Sequence, residues 1–256
     1  MTKIFYLSDI HFDYSYFDVK KHLLKSRRKK HWLVIAGDFL THTNLGAEKI
    51  VNFLNDLSPY YKYVLCVLGN HDLTGYKLDD ASFITGLSSN VYMLDMNNPI
   101  VLDGYAVFGD IMWCHCPVLS ERTFLKLDEY ILVKDREGNK LTMDYTNEYF
   151  SLYKNLLTQF LYDYKEYPKI TISHFPPLRV PNEYPINALS YFFETDICNK
   201  LFFNNVIYSF FGHTHIKYKE KINDVTFCCN PVGYYKKGFK LESVFLNEIV
   251  ENEYER

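Results

Sequence analysis

Strand-length apolar runs that alternate with helical patterns govern what this chain can fold into. Residues 3–8 (Lys-Ile-Phe-Tyr-Leu-Ser), 32–36 (Trp-Leu-Val-Ile-Ala) and 62–68 (Lys-Tyr-Val-Leu-Cys-Val-Leu) read as three buried strands. Between them, residues 18–29 read as a helix, and Leu45, Ile50, Val51, Leu54 and Leu57 recur at helical spacing over 45–57. Strand–helix–strand order of this kind predicts parallel βαβ units. Further strands are predicted at 91–94, 99–102 and 105–112, with Asp103-Gly104 as a hairpin turn. A long helix is predicted near 144–165, and strands at 169–173, 206–211, 225–229 and 242–248. With no internal repeat and no low-complexity linker, residues 1–256 read as one α/β domain with a strand-rich second half.

Five of these runs end in polar clusters. Asp9-Ile10-His11 follows the first strand, Gly37-Asp38 the second and Gly69-Asn70-His71-Asp72 the third. His174 ends the run at 169–173, and Gly212-His213-Thr214-His215 ends the run at 206–211. Ligand sites of open α/β sheets form at the carboxyl ends of strands, so the five clusters can converge on one crevice. Residues separated by one point the same way from an extended backbone, which lets Asp9 and His11, or His213 and His215, face one ion together. Carboxylate and amide oxygens with imidazole nitrogens suit divalent Mn, Fe or Zn better than a thiolate-selecting site would. Two carboxylates and four imidazoles, His71 excluded, exceed what one catalytic zinc needs. They suit a binuclear centre with Asp38 as the bridge.

Taken singly, several signals are weak. An Asp-x-His match is expected by chance about 0.6 times in a chain of this composition and His-x-His about 0.3 times, whereas Gly-Asn-His-Asp is expected about 0.002 times. Alone, Asp9 or Asp38 reads equally as a helix N-cap, and His174 as a hydrogen-bonded core histidine. Their joint order at strand ends is what carries the metal reading.

The ordered set Asp9-x-His11, Gly37-Asp38, Gly69-Asn70-His71-Asp72, His174 and Gly212-His213-x-His215 resembles the calcineurin-like metallophosphoesterases. Asn230-Pro231-Val232-Gly233-Tyr234 is similar to the Asn-Pro-Arg-Gly-Tyr loop of small bacterial and phage-type members. The resemblance implies a four-layer αββα sandwich, two mixed sheets flanked by helices. It implies two divalent cations (Mn, Fe or Zn, with Mn favoured): Asp9, His11, Asp38 and His215 hold the first, and Asp38, Asn70, His174 and His213 the second. It implies hydrolysis of phosphate mono- or diesters by a bridging hydroxide. Asn70 then stabilises the equatorial oxygens, and His71, oriented by Asp72 or a carbonyl, acts at the leaving oxygen. The substrate expected is a phosphorylated small molecule, a nucleotide or another phosphodiester.

Departures narrow this. Phe39-Leu40-Thr41-His42 replaces the Asp-Arg-Gly of protein Ser/Thr phosphatases, and Asp72 replaces their Glu, which disfavours a phosphoprotein phosphatase. Val232 stands where the loop carries Arg, leaving Arg179, Lys236 and Lys237 as the cations near the late motifs. His42 and His115 are candidates for the crevice rim, the Pro-bearing segment after His174 (Pro176, Pro177, Pro181, Pro185) for a substrate wall, and residues 184–193 for an apolar pocket. Cys114-His115-Cys116 lacks a nearby fourth ligand and reads as a loop rather than a zinc site. Cys228-Cys229 reads as strand packing, and His22 and His31 as surface or boundary residues.

A net charge of −3 gives no field that attracts nucleic acid, so a nuclease of the same superfamily ranks second and a non-catalytic binding module third. The basic run from Lys25 to Lys30 is expected at the solvated end of the first helix. Met1-Thr2-Lys3 leads straight into a strand pattern with no signal peptide, and no run approaches a membrane span. Six cysteines without framework spacing read as reduced thiols. A cytoplasmic location is expected, with no membrane partner; the sequence carries no signal for oligomeric state.

Overall fold

The computed structural model describes residues 1–13, 19–24, 28–41, 46–115, 127–180, 197–233 and 239–246. The first half runs β1 (Thr2–Leu7), α1 (Val19–Leu24), β2 (Arg28–Ala36), α2 (Gly46–Leu57), a 3₁₀ turn at Ser58–Tyr60, β3 (Tyr61–Val67), β4 (Val91–Met93), β5 (Ile100–Leu102) and β6 (Tyr105–Asp110). The second half runs α3 (Asp128–Leu132), α4 (Met143–Asp163), β7 (Lys169–Ser173), α5 (Cys198–Leu201), β8 (Val206–Phe211), β9 (Tyr218–Ile222), β10 (Val225–Cys229) and β11 (Glu242–Leu246). The strands form a five-stranded sheet, β11-β1-β2-β3-β4, and a six-stranded sheet, β5-β6-β7-β8-β10-β9. Each is mixed: β1 to β4 and β6-β7-β8-β10 pair in parallel, while β11, β5 and β9 join antiparallel.

Side-chain alternation along the strands explains the layering. In the first sheet Ile4, Tyr6, Trp32, Val34, Ala36, Leu65 and Val67 point inward and meet Ile170, Ile172, Phe210 and Cys228 of the second. Their neighbours Leu33, Ile35, Val64 and Cys66 point outward onto Ile50, Phe53, Leu54 and Leu57 of α2. The outward residues of the second sheet, Phe108, Phe211 and Phe227, pack with Tyr149, Tyr153, Leu157 and Phe160 of α4. Three apolar layers between helix, sheet, sheet and helix make the four-layer sandwich. Because both faces of the central strands are covered along their inner segments, residues 32–36 and 64–67 are apolar without a break. Helix α4 starts where Thr142 accepts a hydrogen bond from the Tyr145 N–H at 3.2 Å, the usual N-cap arrangement.

One expectation needs correction. The first helix is described over Val19–Leu24, and Arg28-Lys29-Lys30 open β2, so this part of the basic run extends a strand instead of finishing a helix. Residues 25–27 lie outside the described residues, as do Leu45 and Cys116. Strand β9 and helices α3 and α5 were not predicted: each is short, and Tyr218-Lys-Glu-Lys-Ile is too charged to read as a strand. None of the five described cysteines is in a disulfide, and Cys228 and Cys229 pack on opposite faces of β10. No helix among the described residues is long and apolar enough to cross a membrane.

The inter-sheet layer carries a test. Trp32 is fully buried there, edge-on to Tyr63 and Tyr105. Trp32→Ala is expected to cost about 3–5 kcal/mol in urea unfolding. On the opposite face of β7, between the inward-pointing Ile170 and Ile172, the Thr171 hydroxyl is buried without a hydrogen-bond partner among the described residues. Isosteric Thr171→Val removes only that unsatisfied group and should leave stability unchanged or raise it by up to about 1 kcal/mol; a marked loss would contradict the packing described.

Candidate metal centre

The chain leaves β1 after Leu7 and lies across the loop that follows β2. Asp9 N–H donates to the Gly37 carbonyl (3.0 Å), and Ile10 and His11 N–H to that of Asp38 (2.8 and 3.1 Å). From the other side, Ser8 N–H donates to the Asn230 carbonyl (3.2 Å), and Val232 and Gly233 N–H donate to Ser8 and Asp9 (2.9 and 2.8 Å). Val232 is itself fully buried in the α2-side core, so the Asn230–Gly233 loop is a brace for β1. His174 joins the sheets: its Nδ1 donates to the Ala36 carbonyl at 2.8 Å.

Asp9 and His11 face one point together, whereas His213 and His215 turn to different partners, His213 to Asn70 and His215 to Asp9 and His11, and none of the four does so from extended backbone. Asp9, His11, Asp38, His213 and His215 all have φ between 44° and 67°. For residues other than glycine this left-handed region costs roughly 1–2 kcal/mol each. Half of the ten such residues in the described chain therefore gather at one spot, where strain is held by surrounding structure.

Two donor sets result. In the first, Asp9, His11, Asp38 and His215 bring one ligand-type atom each to within 4.8 Å of one another. His215 Nε2 lies 3.4 Å from Asp9 Oδ1, and His11 Nε2 lies 3.3 Å from His215 Nε2 and 3.7 Å from Asp38 Oδ2. In the second, Asn70 Oδ1 lies 2.8 Å from His174 Nε2 and 3.0 Å from His213 Nδ1, and His174 Nε2 lies 3.3 Å from Asp38 Oδ2. Asp38 Oδ2 belongs to both sets. All seven side chains are buried except His215, which is partly exposed.

The donor chemistry fits cations. Because His174 Nδ1 donates to a carbonyl, its Nε2 faces two oxygens and suits either a proton or a metal ion. Burial opposes charge on His174, but the Asp38 carboxylate outweighs it and lifts its pKa to about 9. Burial likewise opposes charge on His215, and Asp9 lifts it above the ordinary imidazole value. Burial pushes His11 down to about 4 and, with His174 beside it, His213 to about 3, so both imidazoles are neutral near pH 7. Burial would raise Asp9, yet His215 brings it down to about 2; Asp38 is held well below the carboxylate range against burial by His174 and His71.

His71 is half-buried at the edge of the first set, its ring 5.3 Å edge-on from that of His11 and its N–H on Asp38 Oδ1 at 3.1 Å. Asp72 has a different place from the one expected. Its Oδ1 accepts from Phe39 and Leu40 N–H (2.9 and 3.0 Å) and its Oδ2 from Gly69 N–H (2.9 Å), so it ties the loops after β2 and β3 together. His115 packs against Phe150 of α4 at 5.8 Å, and Arg179 is exposed. His42, Pro181, Pro185, the segment 184–193, Tyr234, Lys236 and Lys237 lie outside the described residues.

Three residues here carried no sequence signal. Glu129 of α3 accepts from the Asn70 amide (3.0 Å), Phe175 lies 4.2 Å under the His213 ring, and Thr41 Oγ1 touches His11 Nδ1 at 3.2 Å. A separate cavity of about 940 Å³ opens beside the loop after β3, lined by Leu73, Met96, Tyr149 and Leu152 with Asp79, Asp80, Asp95 and Glu148 against Arg136. That acidic rim does not suit a phosphate.

Glycine is required at residue 69, where a Cβ would come within 2.0 Å of Asp38 Oδ1 and 2.5 Å of Asp38 N. Gly69→Ala must push the shared carboxylate aside, at a cost of about 1–3 kcal/mol. Chemical denaturation checks this, and wild-type stability in that variant would contradict the close approach.

A curated relative, an uncharacterized protein of Acanthamoeba polyphaga mimivirus, is 26% identical over 265 residues, covering 90% of each chain. The structure superposes on a phosphopantetheinyl hydrolase from Mycobacterium tuberculosis with a TM-score of 0.69, 17% identity and 96% of each chain covered. A 5'-nucleotidase candidate from Staphylococcus aureus superposes with a TM-score of 0.55 and 15% identity over 91% of this chain and 48% of that one. The profile of the calcineurin-like phosphoesterases matches residues 2–217, and the chain belongs to that family.

Proposed function

We propose that the protein hydrolyses phosphate esters of small molecules or nucleotides at a centre of two divalent cations, Mn²⁺ favoured. The observation that carries this reading is the single oxygen, Asp38 Oδ2, that faces both donor sets. Asp9, His11, Asp38 and His215 would hold one ion, and Asp38, Asn70, His174 and His213 the other. Ions so held lower the pKa of water and supply positive charge to phosphoryl oxygens. The chain's own residues do the rest. Asn70 aims its amide oxygen inward, and the half-buried His71 is the residue placed to give a proton to the departing oxygen. The hydrolase and nucleotidase likenesses support a small phosphorylated substrate. The acidic net charge weighs against nucleic acid.

With Mn²⁺ added, the purified protein should hydrolyse an aryl phosphate mono- or diester. His71→Ala should lower kcat by about 10²–10⁴-fold with metal content unchanged, and Asp38→Asn should lose both activity and metal. No turnover of mono-, di- or cyclic phosphates with both ions bound would refute the reading. Metal loading should also release protons, since His174, with its pKa of about 9, is charged at neutral pH. Calorimetry in buffers of different ionisation enthalpy should find about one proton or more released per chain near pH 7 and fewer once the pH exceeds that pKa; no release at neutral pH would contradict the ligand role of His174.

A further inference from the structure

We infer that Glu129 is a positioning residue for the second cation: it fixes which end of the Asn70 amide faces the centre. This rests on the two-cation reading above. An amide group can turn over with almost no change of shape, and the two outcomes are opposite. With Oδ1 inward, Asn70 offers a metal ligand. With NH₂ inward, it turns its two donors toward His174 Nε2 and His213 Nδ1 and offers no ligand oxygen. The Glu129 carboxylate accepts from Asn70 Nδ2 at 3.0 Å, while Asn70 Oδ1 sits 2.8 and 3.0 Å from the imidazole nitrogens. A charge-assisted hydrogen bond on the outer end of the amide therefore holds the oxygen inward before any ion arrives.

The helix that carries Glu129 is anchored to the same end of the centre. The next residue, Tyr130, is buried, and its hydroxyl meets Trp113 Nε1 at 3.3 Å and Thr146 Oγ1 of α4 at 3.2 Å. Trp113 packs on Phe175 at 5.4 Å, and Phe175 lies 4.2 Å from the His213 ring at an interplanar angle of 30°. The five-residue helix thus touches one second-site ligand through Glu129 and backs another through Tyr130, Trp113 and Phe175. Asn70, the residue that Glu129 holds, belongs to the second donor set, so loss of Glu129 should act on that ion and spare the other.

Mn²⁺ titration by calorimetry, with bound metal counted by elemental analysis, tests this. Wild-type protein is expected to take two ions. Glu129→Met keeps the bulk and removes the acceptor; it should weaken one of the two ions by about 10–100-fold and leave the other unchanged. Glu129→Gln keeps an acceptor oxygen and should restore most of the loss. In an Asn70→Asp background there is no amide to orient, so adding Glu129→Met should not weaken binding further. Two ions bound by Glu129→Met as tightly as by wild type would overturn the inference and leave the two-cation reading standing. Glu129→Gln as weak as Glu129→Met would make charge, not orientation, the cause and overturn it as well. A wild-type protein that binds fewer than two ions would sink the underlying reading itself. Should Glu129→Met fail to fold, Glu129→Ala, which also removes the acceptor, takes its place with the same two outcomes.

Discussion

Two carboxylates with almost no solvent exposure, Asp9 and Asp38, stand at the seam where the sheets meet. Removing such charges from water costs several kcal/mol each unless the surroundings replace the lost hydration. The replacement is explicit. Asp9 accepts from Ser8 Oγ at 2.5 Å and from His213 N–H at 2.9 Å, and Asp38 accepts from His71 N–H at 3.1 Å. Their remaining oxygen capacity faces imidazoles. The loops after β1, β2, β3, β7 and β8 are arranged around this requirement, because each of them contributes one of the two carboxylates or a group that faces one.

That arrangement is locally unfavourable and is held by the sandwich. Left-handed backbone at five of the gathered residues cannot persist in a free loop. Here the loops are bonded to each other, from Asp9, Ile10 and His11 onto Gly37 and Asp38, and from Val232 and Gly233 onto Ser8 and Asp9. Asp72 closes the set with three backbone N–H groups. His174 spans from the second sheet to the Ala36 carbonyl of the first. A shift of one sheet against the other would separate the two donor sets, so the rigidity of the inter-sheet core and the geometry of the centre are one property.

Much of this was legible in the sequence. β7, β8 and β10 run over the predicted residues, because their apolar runs are covered on both faces. The polar clusters converge because each follows a strand whose carboxyl end meets the seam. The spacing of the Asp-x-His and His-x-His motifs works differently from extended backbone: left-handed turns bring Asp9 and His11 to one point and send His213 and His215 to different donor sets. Asp72 reads in the sequence as one of two candidates to orient His71, beside a carbonyl, since sequence adjacency cannot reveal three backbone donors from two loops. Glu129 left no trace because its partner lies 59 residues away and its helix spans five residues. The first helix was drawn too long because Lys and Arg suit a helix end and an exposed strand start equally well.

The claim beneath all of this is that one shared carboxylate organises two cation sites. Anomalous diffraction from crystals equilibrated with Mn²⁺ tests it most directly. Two peaks about 3.5–4 Å apart, one beside Asp9, His11 and His215, the other beside Asn70, His174 and His213, with Asp38 between them, are the predicted result. A lone peak, or two peaks with Asp38 touching neither, would contradict it.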